Sequence, residues 1–362
     1  MSHDEPRRMA ESPPHEMSPN AIFSELELEL FKTLEGREPE RITRKIERVL
    51  VTGASGSGGS YMAEYAKEMG AEVHGLARWH TSPLPRSTPL YTVHECDLMD
   101  MGSIIRVLDR VRPQIIFHLA SHANVRACFD TPLSVLSNNV MGTANLLEAI
   151  RILGLKLQTR LVMCSSSEVY GQVKPDSGPL DENTPLNPVS PYAVSKLTQD
   201  SLSYSYFKSF GLDVVRTRMF TYLNPRRADL FATSFAMQVA RIEAGQQSVL
   251  RHGNLDSVRT VLDVRDAVSA YWLSALKGIS GEVYNIGGTE TVTVGSFLDR
   301  LKSLATCPIP SEPDPALMRP ADVTLQIPDC TKFKQATGWE PKVSFADSVR
   351  FLLDHCRSVV SA

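Results

Sequence analysis

A chain of 362 residues, 42% hydrophobic and 22% charged, has ordinary globular composition and enough length for two packed domains. Its formal net charge of −3 gives no field for nucleic acid or an anionic membrane, so any positive patch has to be local, as in a phosphate site. No apolar run reaches the roughly 18 residues that span a bilayer, and the N-terminus lacks the apolar core of a secretory signal. The six cysteines show neither metal-ligand nor disulfide spacing. These features predict a cytoplasmic protein with reduced thiols and no metal, with neither membrane nor nucleic acid among its partners.

In chain order, residues 1 to about 20 are polar and proline-rich (Pro6, Pro13, Pro14, Pro19) and read as disordered. From Ala21 to Leu34, Phe23, Leu26, Leu30 and Leu34 recur at helical spacing, while Leu26, Leu28 and Leu30 alternate as in a strand; both readings stay open. That segment would pack on the protein's own surface or serve as an arm for a partner. A strand–turn–helix rhythm follows. Strands are predicted at Val49–Thr52, Val73–Leu76, Ile115–Leu119, Leu161–Cys164, Val214–Thr217 and Val283–Ile286. Helices are predicted at Ser60–Met69, Ile104–Val111 and, as one long element, Ser134–Leu153. Apolar strands alternating with helices imply an α/β fold, a doubly wound parallel sheet covered on both faces. Beyond Phe220 the alternation weakens and prolines cluster between Pro308 and Pro320, which suits a smaller C-terminal domain over the sheet's carboxyl edge.

The first strand runs into Gly53, Gly56 and Gly59, spaced G-x-x-G-x-x-G before a helix. Glycine there permits positive φ and close approach of a pyrophosphate, which the helix N-terminus then attracts. The turn thus predicts a dinucleotide site in a Rossmann-type sheet. The second strand ends in Leu76-Ala77-Arg78-Trp79 without the acid that would bond a ribose 2′-hydroxyl. Arg78 can pair with a 2′-phosphate or stack on adenine, which favours NADP over NAD. Asp97-Leu98 closes the third strand, where a carboxylate could bond the adenine amino group. Tyr192 and Lys196 share a helix face, so the ammonium could depress the phenol's pKa for proton exchange with a substrate hydroxyl. Ser166, at the end of the fifth strand, would complete a triad.

With these motifs, the chain from Arg48 onward resembles the extended short-chain dehydrogenase/reductase superfamily. Within it the chain is similar to GDP-mannose 4,6-dehydratases and GDP-4-keto-6-deoxymannose reductases. Gly59-Ser60-Tyr61-Met62-Ala63-Glu64, Glu72-Val73-His74-Gly75 and Pro225-Arg226-Arg227 with Phe231-Ala232-Thr233 match the dehydratases. Gly253-Asn254-Leu255-Asp256-Ser257-Val258-Arg259 and Arg319-Pro320-Ala321-Asp322-Val323 occur in both groups. Asp263-Val264-Arg265-Asp266 with Ala270-Tyr271-Trp272 leans towards the reductases. The resemblance implies Tyr192 as base at the sugar's 4-oxygen, Ser166 hydrogen-bonding that oxygen, Lys196 on the nicotinamide ribose and Glu168 as acid/base at carbon 5. It implies Asn139 as the superfamily's helix asparagine and a substrate-binding residue, with a helix-bend role as its alternative, and Arg259 and Arg319 on the diphosphate. Arg226 and Arg227 would lie on a loop reaching a neighbouring subunit's NADP, in a homodimer or homotetramer. Four positions depart from the pattern: Thr221 replaces an asparagine that contacts substrate, Gly58 replaces an acid, and Thr260-Val261 replaces an acid and an aromatic.

The resulting expectation is an N-terminal extension over 1–46, partly disordered, an NADP-binding domain over 47–220, and a mainly sugar-nucleotide-binding domain over 221–362. Residues 260–290 would return to the main sheet. The expected reaction is 4,6-dehydration of a GDP-linked hexose, GDP-mannose, by an internal hydride cycle on NADP. Its rivals are NADPH-dependent reduction of the 4-keto-6-deoxy sugar, 4-epimerisation, and dinucleotide binding without turnover in a regulatory protein.

Overall fold

The computed structural model describes residues 46–78, 91–174, 178–318 and 323–361. The proline-rich start, the 21–34 pattern, and Arg319 with its neighbours to 322 lie outside the described residues.

A seven-stranded sheet carries the fold. Its strands are β1 (Arg48–Thr52), β2 (Glu72–Ala77), β3 (Thr92–Glu95), β4 (Ile115–His118), β5 (Arg160–Cys164), β6 (Asp213–Met219) and, after three short strands of a second layer, β10 (Val283–Ile286). The order is β10-β6-β5-β4-β1-β2-β3, with every neighbouring pair parallel. Parallel pairing demands crossovers, and helices fill both faces. Along β1, Val49 and Val51 pack with Phe117, Met62, Tyr65 and Trp272 on one face. Leu50 between them packs with Ile116, Leu161, Ile104 and Leu146 on the other. This two-sided burial is why the strand is apolar without alternation. The first face is covered by α1 (Ser57–Glu68) and a late helix, Val264–Lys277; the second by α2 (Met101–Val111) and Gly142–Ile152. The chain builds outward from β1 through β2 to β3, then returns to place β4 on the other side of β1. That reversal opens a crevice beyond the carboxyl ends of β1 and β4, the place where such sheets bind ligands.

The long helix expected over Ser134–Leu153 is broken. It comprises α3 (Pro132–Leu136), a wider π turn (Ser137–Met141) and α4 (Gly142–Ile152). The Asn139 carbonyl accepts from Thr143 Oγ1 (2.8 Å) and from Gln199 Nε2 (3.1 Å). A helix whose carbonyl is taken by such groups widens locally, and π turns of this kind cluster at functional sites. Gln199 belongs to α5 (Pro191–Phe210), which Asp200 ties to β6 through Arg216 (2.6 Å) and Arg218 (3.0 Å).

The second layer comprises β7 (Tyr222–Leu223), β9 (Val258–Asp263), β11 (Glu290–Thr293) and β13 (Leu325–Gln326), with β8 (Leu250–His252) pairing β12 (Ser311–Pro313). Helices α6 (Phe231–Glu243), α8 (Val294–Ser303) and α9 (Phe345–Ser361) share a core of Phe235, Val239, Phe297, Leu301 and Leu352. Helix α7 (Val264–Lys277) leads from β9 back to β10 at the edge of the main sheet. Among the described residues no helix is long and apolar enough to cross a membrane, and no cluster of three metal-ligating side chains occurs.

Candidate active site

The cofactor end is built from backbone. Gly53 has φ +69°, and a Cβ there would lie 2.9 Å from Ala120 Cα, the residue pair that closes the crevice between β1 and β4. A Cβ on Gly59 would approach the Gly53 carbonyl oxygen to 2.1 Å. This tight stacking lets α1 begin at Ser57 rather than Ser60, inside the glycine motif, so its free N–H groups open onto the cleft. Gly58, which departs from the family pattern, also has a physical reason: a side chain there would meet the Tyr222 hydroxyl at 2.9 Å.

A cavity of about 200 Å³ beside this turn is lined by Gly53, Gly56, Leu76, Ala77, Arg78, Leu98, Ser121 and His122, among others. Arg78 Nη2 lies 3.2 Å from His122 Nε2, and burial, then the Arg78 charge, hold that imidazole below its usual range. Asp97 differs from expectation. Strand β3 stops at Glu95, and Asp97 sits exposed in the following turn, accepting from Met99 N at 2.9 Å. Its neighbours Cys96 and Leu98 face the cavity instead.

A cleft of roughly 550 Å³ continues from Gly53 and Ala120 to the second layer, with Ser166, Glu168, Tyr192, Lys196, Thr221 and Arg259 in its wall. Tyr192 stands in the first turn of α5, a helix capped by Ser190 Oγ accepting from Ala193 N (3.1 Å). Ser166 caps the short turn Ser167–Tyr170, accepting from Glu168 N (3.2 Å). It stands close enough to Tyr192 to pull the phenol down, and both side chains line the cleft.

Electrostatics at Tyr192 correct the simple picture of a lysine-depressed phenol. Burial drives the phenol well above its ordinary range, and the Arg227 guanidinium is the strongest influence pulling it back, ahead of the Ser166 hydrogen bond; Cys164 and Glu168 push it up. Lys196 donates to the Cys164 carbonyl (2.8 Å), with Nζ 6.0 Å from the Tyr192 ring centre. Burial lowers its own pKa, opposed by Cys164 and reinforced by Arg227. Arg227 was expected on a loop reaching another subunit. Here Nη2 donates to the Ala123 carbonyl (2.7 Å) and Nε to Asp229 (3.2 Å), in the wall of the same cleft. Arg226 also turns inward, gripping Glu64 at 2.7 and 3.0 Å above the Tyr61 ring.

Asn139 is corrected too. It lines neither cavity; it is 1% exposed, its Nδ2 donates to Ser195 Oγ (2.9 Å) and the His122 carbonyl (3.2 Å), and its Oδ1 accepts from His122 N (2.7 Å). It holds the loop after β4 to α5 from within the π turn, the helix-bend role. Thr221 and Arg259 do face the cleft. The Arg259 guanidinium donates to the carbonyls of Val258 (2.9 Å) and Val323, which fixes its plane. Residues that sequence reasoning did not place here include His122, Arg227, Tyr222 and the Cys164–Tyr271 pair, whose sulfur and phenol oxygen lie 2.7 Å apart. The last two tyrosines sit in apolar stretches that read as core. Only the Arg-Arg doublet carried a signal, and it pointed outward.

A dinucleotide fits this site on its own evidence. The glycine cradle admits no Cβ at Gly53 or Gly59, and the buried hydroxyls of Ser121 and Ser165 in its wall have no partner among the described residues.

The chain's likenesses agree with that geometry. The family model described as GDP-mannose 4,6 dehydratase matches residues 50–352. A GDP-mannose 4,6-dehydratase of Yersinia enterocolitica is 30% identical over 339 residues, 83% of this chain and 91% of that protein. A GDP-6-deoxy-D-mannose reductase of Pseudomonas aeruginosa is 31% identical over 316 residues, 87% and 98% respectively. The solved structure of RMD from Pseudomonas aeruginosa complexed with NADPH superposes with a TM-score of 0.74 at 28% identity, covering 86% of this chain and 99% of that one; other neighbours of similar score hold NAD. The chain is thus a dinucleotide-dependent enzyme of sugar-nucleotide chemistry, and it belongs to the GDP-mannose 4,6-dehydratase family of extended short-chain dehydrogenases/reductases.

Proposed function

We propose that this chain converts GDP-mannose to GDP-4-keto-6-deoxymannose, keeping NADP bound throughout. The observation that carries the reading is that Tyr192 and Glu168, the latter on a turn capped by Ser166, face one cleft. A dehydratase needs two proton-transfer groups, one at the 4-oxygen and one at carbon 5; a ketoreductase needs only the first. Gly53, Gly56, Gly59 and Arg78 would hold the dinucleotide, with Leu98 beside its adenine and Lys196 at the nicotinamide ribose. When bound, the nicotinamide supplies the hydride acceptor at carbon 4 and returns that hydride at carbon 6.

Tyr192 takes the 4-hydroxyl proton, with Arg227 and Ser166 stabilising the phenolate it must first become. The new carbonyl acidifies carbon 5. Glu168 removes that proton and passes it to the 6-hydroxyl, which leaves as water; once carbon 6 is reduced, carbon 5 regains a proton, which balances the one Tyr192 took from the 4-hydroxyl. Arg259, its plane fixed by two carbonyls, suits a diphosphate oxygen, and Arg319 would join it. Thr221 offers a hydroxyl where the family pattern has an amide. A homodimer or homotetramer is part of the proposal; within the chain, Arg226 pairs with Glu64 and Arg227 with Asp229.

The reductase rival drew support from Asp263-Val264-Arg265-Asp266. In the structure Asp263 caps α7 and pairs with Arg265 (2.8 Å), while Asp266 accepts from the backbone of Lys342 and Val343 (3.0 and 2.9 Å). These contacts secure the helix and leave the reaction unaddressed. Incubating the protein with GDP-mannose and no added NADPH tests the proposal: the 4-keto-6-deoxy product is expected. NADPH consumption with a 4-keto sugar, and no dehydration, would establish the rival. Glu168→Gln should cost about 10²–10⁴-fold in dehydration, yet leave reduction of a supplied 4-keto-6-deoxy sugar within about tenfold.

A further inference from the structure

The amide of Gln326 has no role in anything described so far. It lies on β13, directly beside Arg259 of β9 in the parallel register. The residue is 2% exposed and borders the cleft. Ser167, between the two catalytic-turn residues Ser166 and Glu168, donates its hydroxyl to Gln326 Oε1 at 3.1 Å. That bond fixes the amide and leaves Nε2 buried with no partner among the described residues. Native structures seldom leave a buried donor unpaired, and a donor in a ligand cleft finds its acceptor in the ligand.

The position narrows the acceptor. On one side stands Arg259, proposed for the diphosphate; on the other stands the turn bearing Ser166 and Glu168, proposed for carbons 4 and 5. What lies between is the hexose ring and its 2- and 3-hydroxyls, which take no part in dehydration. We infer that Gln326 is a specificity-determining residue whose amide donates to a non-reacting hexose hydroxyl, locking the sugar in register between the diphosphate clamp and the proton-transfer groups. The inference rests on the proposed sugar-nucleotide orientation. It gives the second layer a part in recognising the sugar itself, and it couples that recognition to the catalytic turn through Ser167.

The experiment compares wild type and Gln326→Met, a change close in volume that removes the amide. Two quantities are read: kcat/KM for GDP-mannose dehydration, and the inhibition constant of GDP, which lacks the hexose. The expected result is about a tenfold loss in kcat/KM with the GDP constant within about twofold and the thermal midpoint retained. Equal changes in both quantities, or in neither, would overturn the inference. Wild-type enzyme gives the same reading without substitution. Removing the 2- or the 3-hydroxyl from GDP-mannose should cost about tenfold for one analogue, and no loss for either means that only water meets Nε2. Absence of dehydrated product from wild type would fell the functional reading and this inference together; product formation with unchanged Gln326→Met kinetics fells the inference alone.

Discussion

The two ends of the cleft are made differently. The cofactor end is assembled from residues at the carboxyl ends of neighbouring parallel strands, where the backbone itself shapes the site: Gly53 against Ala120, Gly59 against the Gly53 carbonyl. The sugar end draws Thr221, Arg259 and Gln326 from a small sheet whose strands β7, β9 and β13 are two to six residues long. Backbone-built sites tolerate little change, because a single Cβ destroys them. Side-chain-built sites can be respecified one residue at a time. The departures from the family pattern follow this division. Gly58 at the cofactor end faces the Tyr222 hydroxyl, 2.9 Å from where a Cβ would stand, whereas Thr221 lines the sugar end as one side chain in place of another.

If the division holds, changes at Tyr192 should separate chemistry from cofactor binding most strongly. Tyr192→Phe removes the proton-transfer group and keeps the ring packed beside Cys128 and Val135. Turnover should fall by about 10²–10⁴-fold, while NADP affinity, read by nucleotide fluorescence, stays within a few-fold. A comparable loss of cofactor binding would show that the two ends are not separable. A smaller effect is expected at Arg78, which lines the cavity beside the glycine turn. Arg78→Ala should weaken NADP by about 10- to 100-fold and NAD hardly at all, read by titration of each. Equal losses would remove the argument for NADP.

Arg227 tests the junction between the ends. Its charge opposes the burial that raises the Tyr192 phenol. The groups facing that phenol are Lys196 on its own helix, Ser166, Glu168 and Cys164 from the β5 end, Tyr271 from α7, and Arg227 itself. A base must be deprotonated to act, so its rate rises with pH through its pKa. Arg227→Gln raises that pKa further and should move the acid limb of the rate profile up by about one pH unit, within the range that a neighbouring opposite charge commands. Arg227→Lys should restore much of it. A profile that keeps its shape while only the plateau drops would assign Arg227 a purely structural part.

Much of this was legible in the sequence where causes are local. The glycine turn, the Tyr192–Lys196 pair and the apolar strands announce themselves because spacing within a few residues decides them. The π turn at Ser137–Met141 was not legible, since its cause is the amide of Gln199, 60 positions away in the chain, reaching the Asn139 carbonyl. The helix period over Ser134–Leu153 carries no trace of that bond. Arg227 misled for a similar reason. A doublet of arginines in a proline-bearing loop reads as outward charge, and only the fold brings the Ala123 carbonyl and Asp229 to receive it. Gln326 gave no signal at all, as one amide in a two-residue strand.

The smallest expected effect concerns the scaffold that both ends share. His118, at the end of β4, is 1% exposed and bridges Thr52 Oγ1 of β1 and Thr143 Oγ1 of α4, at 2.8 Å each. Burial, reinforced by the Lys196 charge, pushes its pKa down to about 3. The imidazole is therefore neutral in the folded chain and must be charged in the unfolded one below its ordinary value of 6.5. A depressed folded pKa means stability that is complete above pH 6.5 and declines as the pH falls towards 3, by about 1 kcal/mol per pH unit. Asp266 works in the opposite sense. Burial raises it from 3.8 to about 6, so its contribution is complete below 3.8 and is lost as the pH rises through 6. The two offset each other between about pH 4 and 6, and the wild-type thermal midpoint alone would hide both. The difference between wild type and His118→Gln isolates the histidine. The variant should unfold at a lower temperature at pH 8, having lost the bridge between β1 and α4, and the gap should narrow by about 1–2 kcal/mol between pH 6.5 and 5. A gap that stays constant across that window would mean that the imidazole titrates alike in both states, and that the seam of β1, β4 and α4 is not bridged by a neutral histidine.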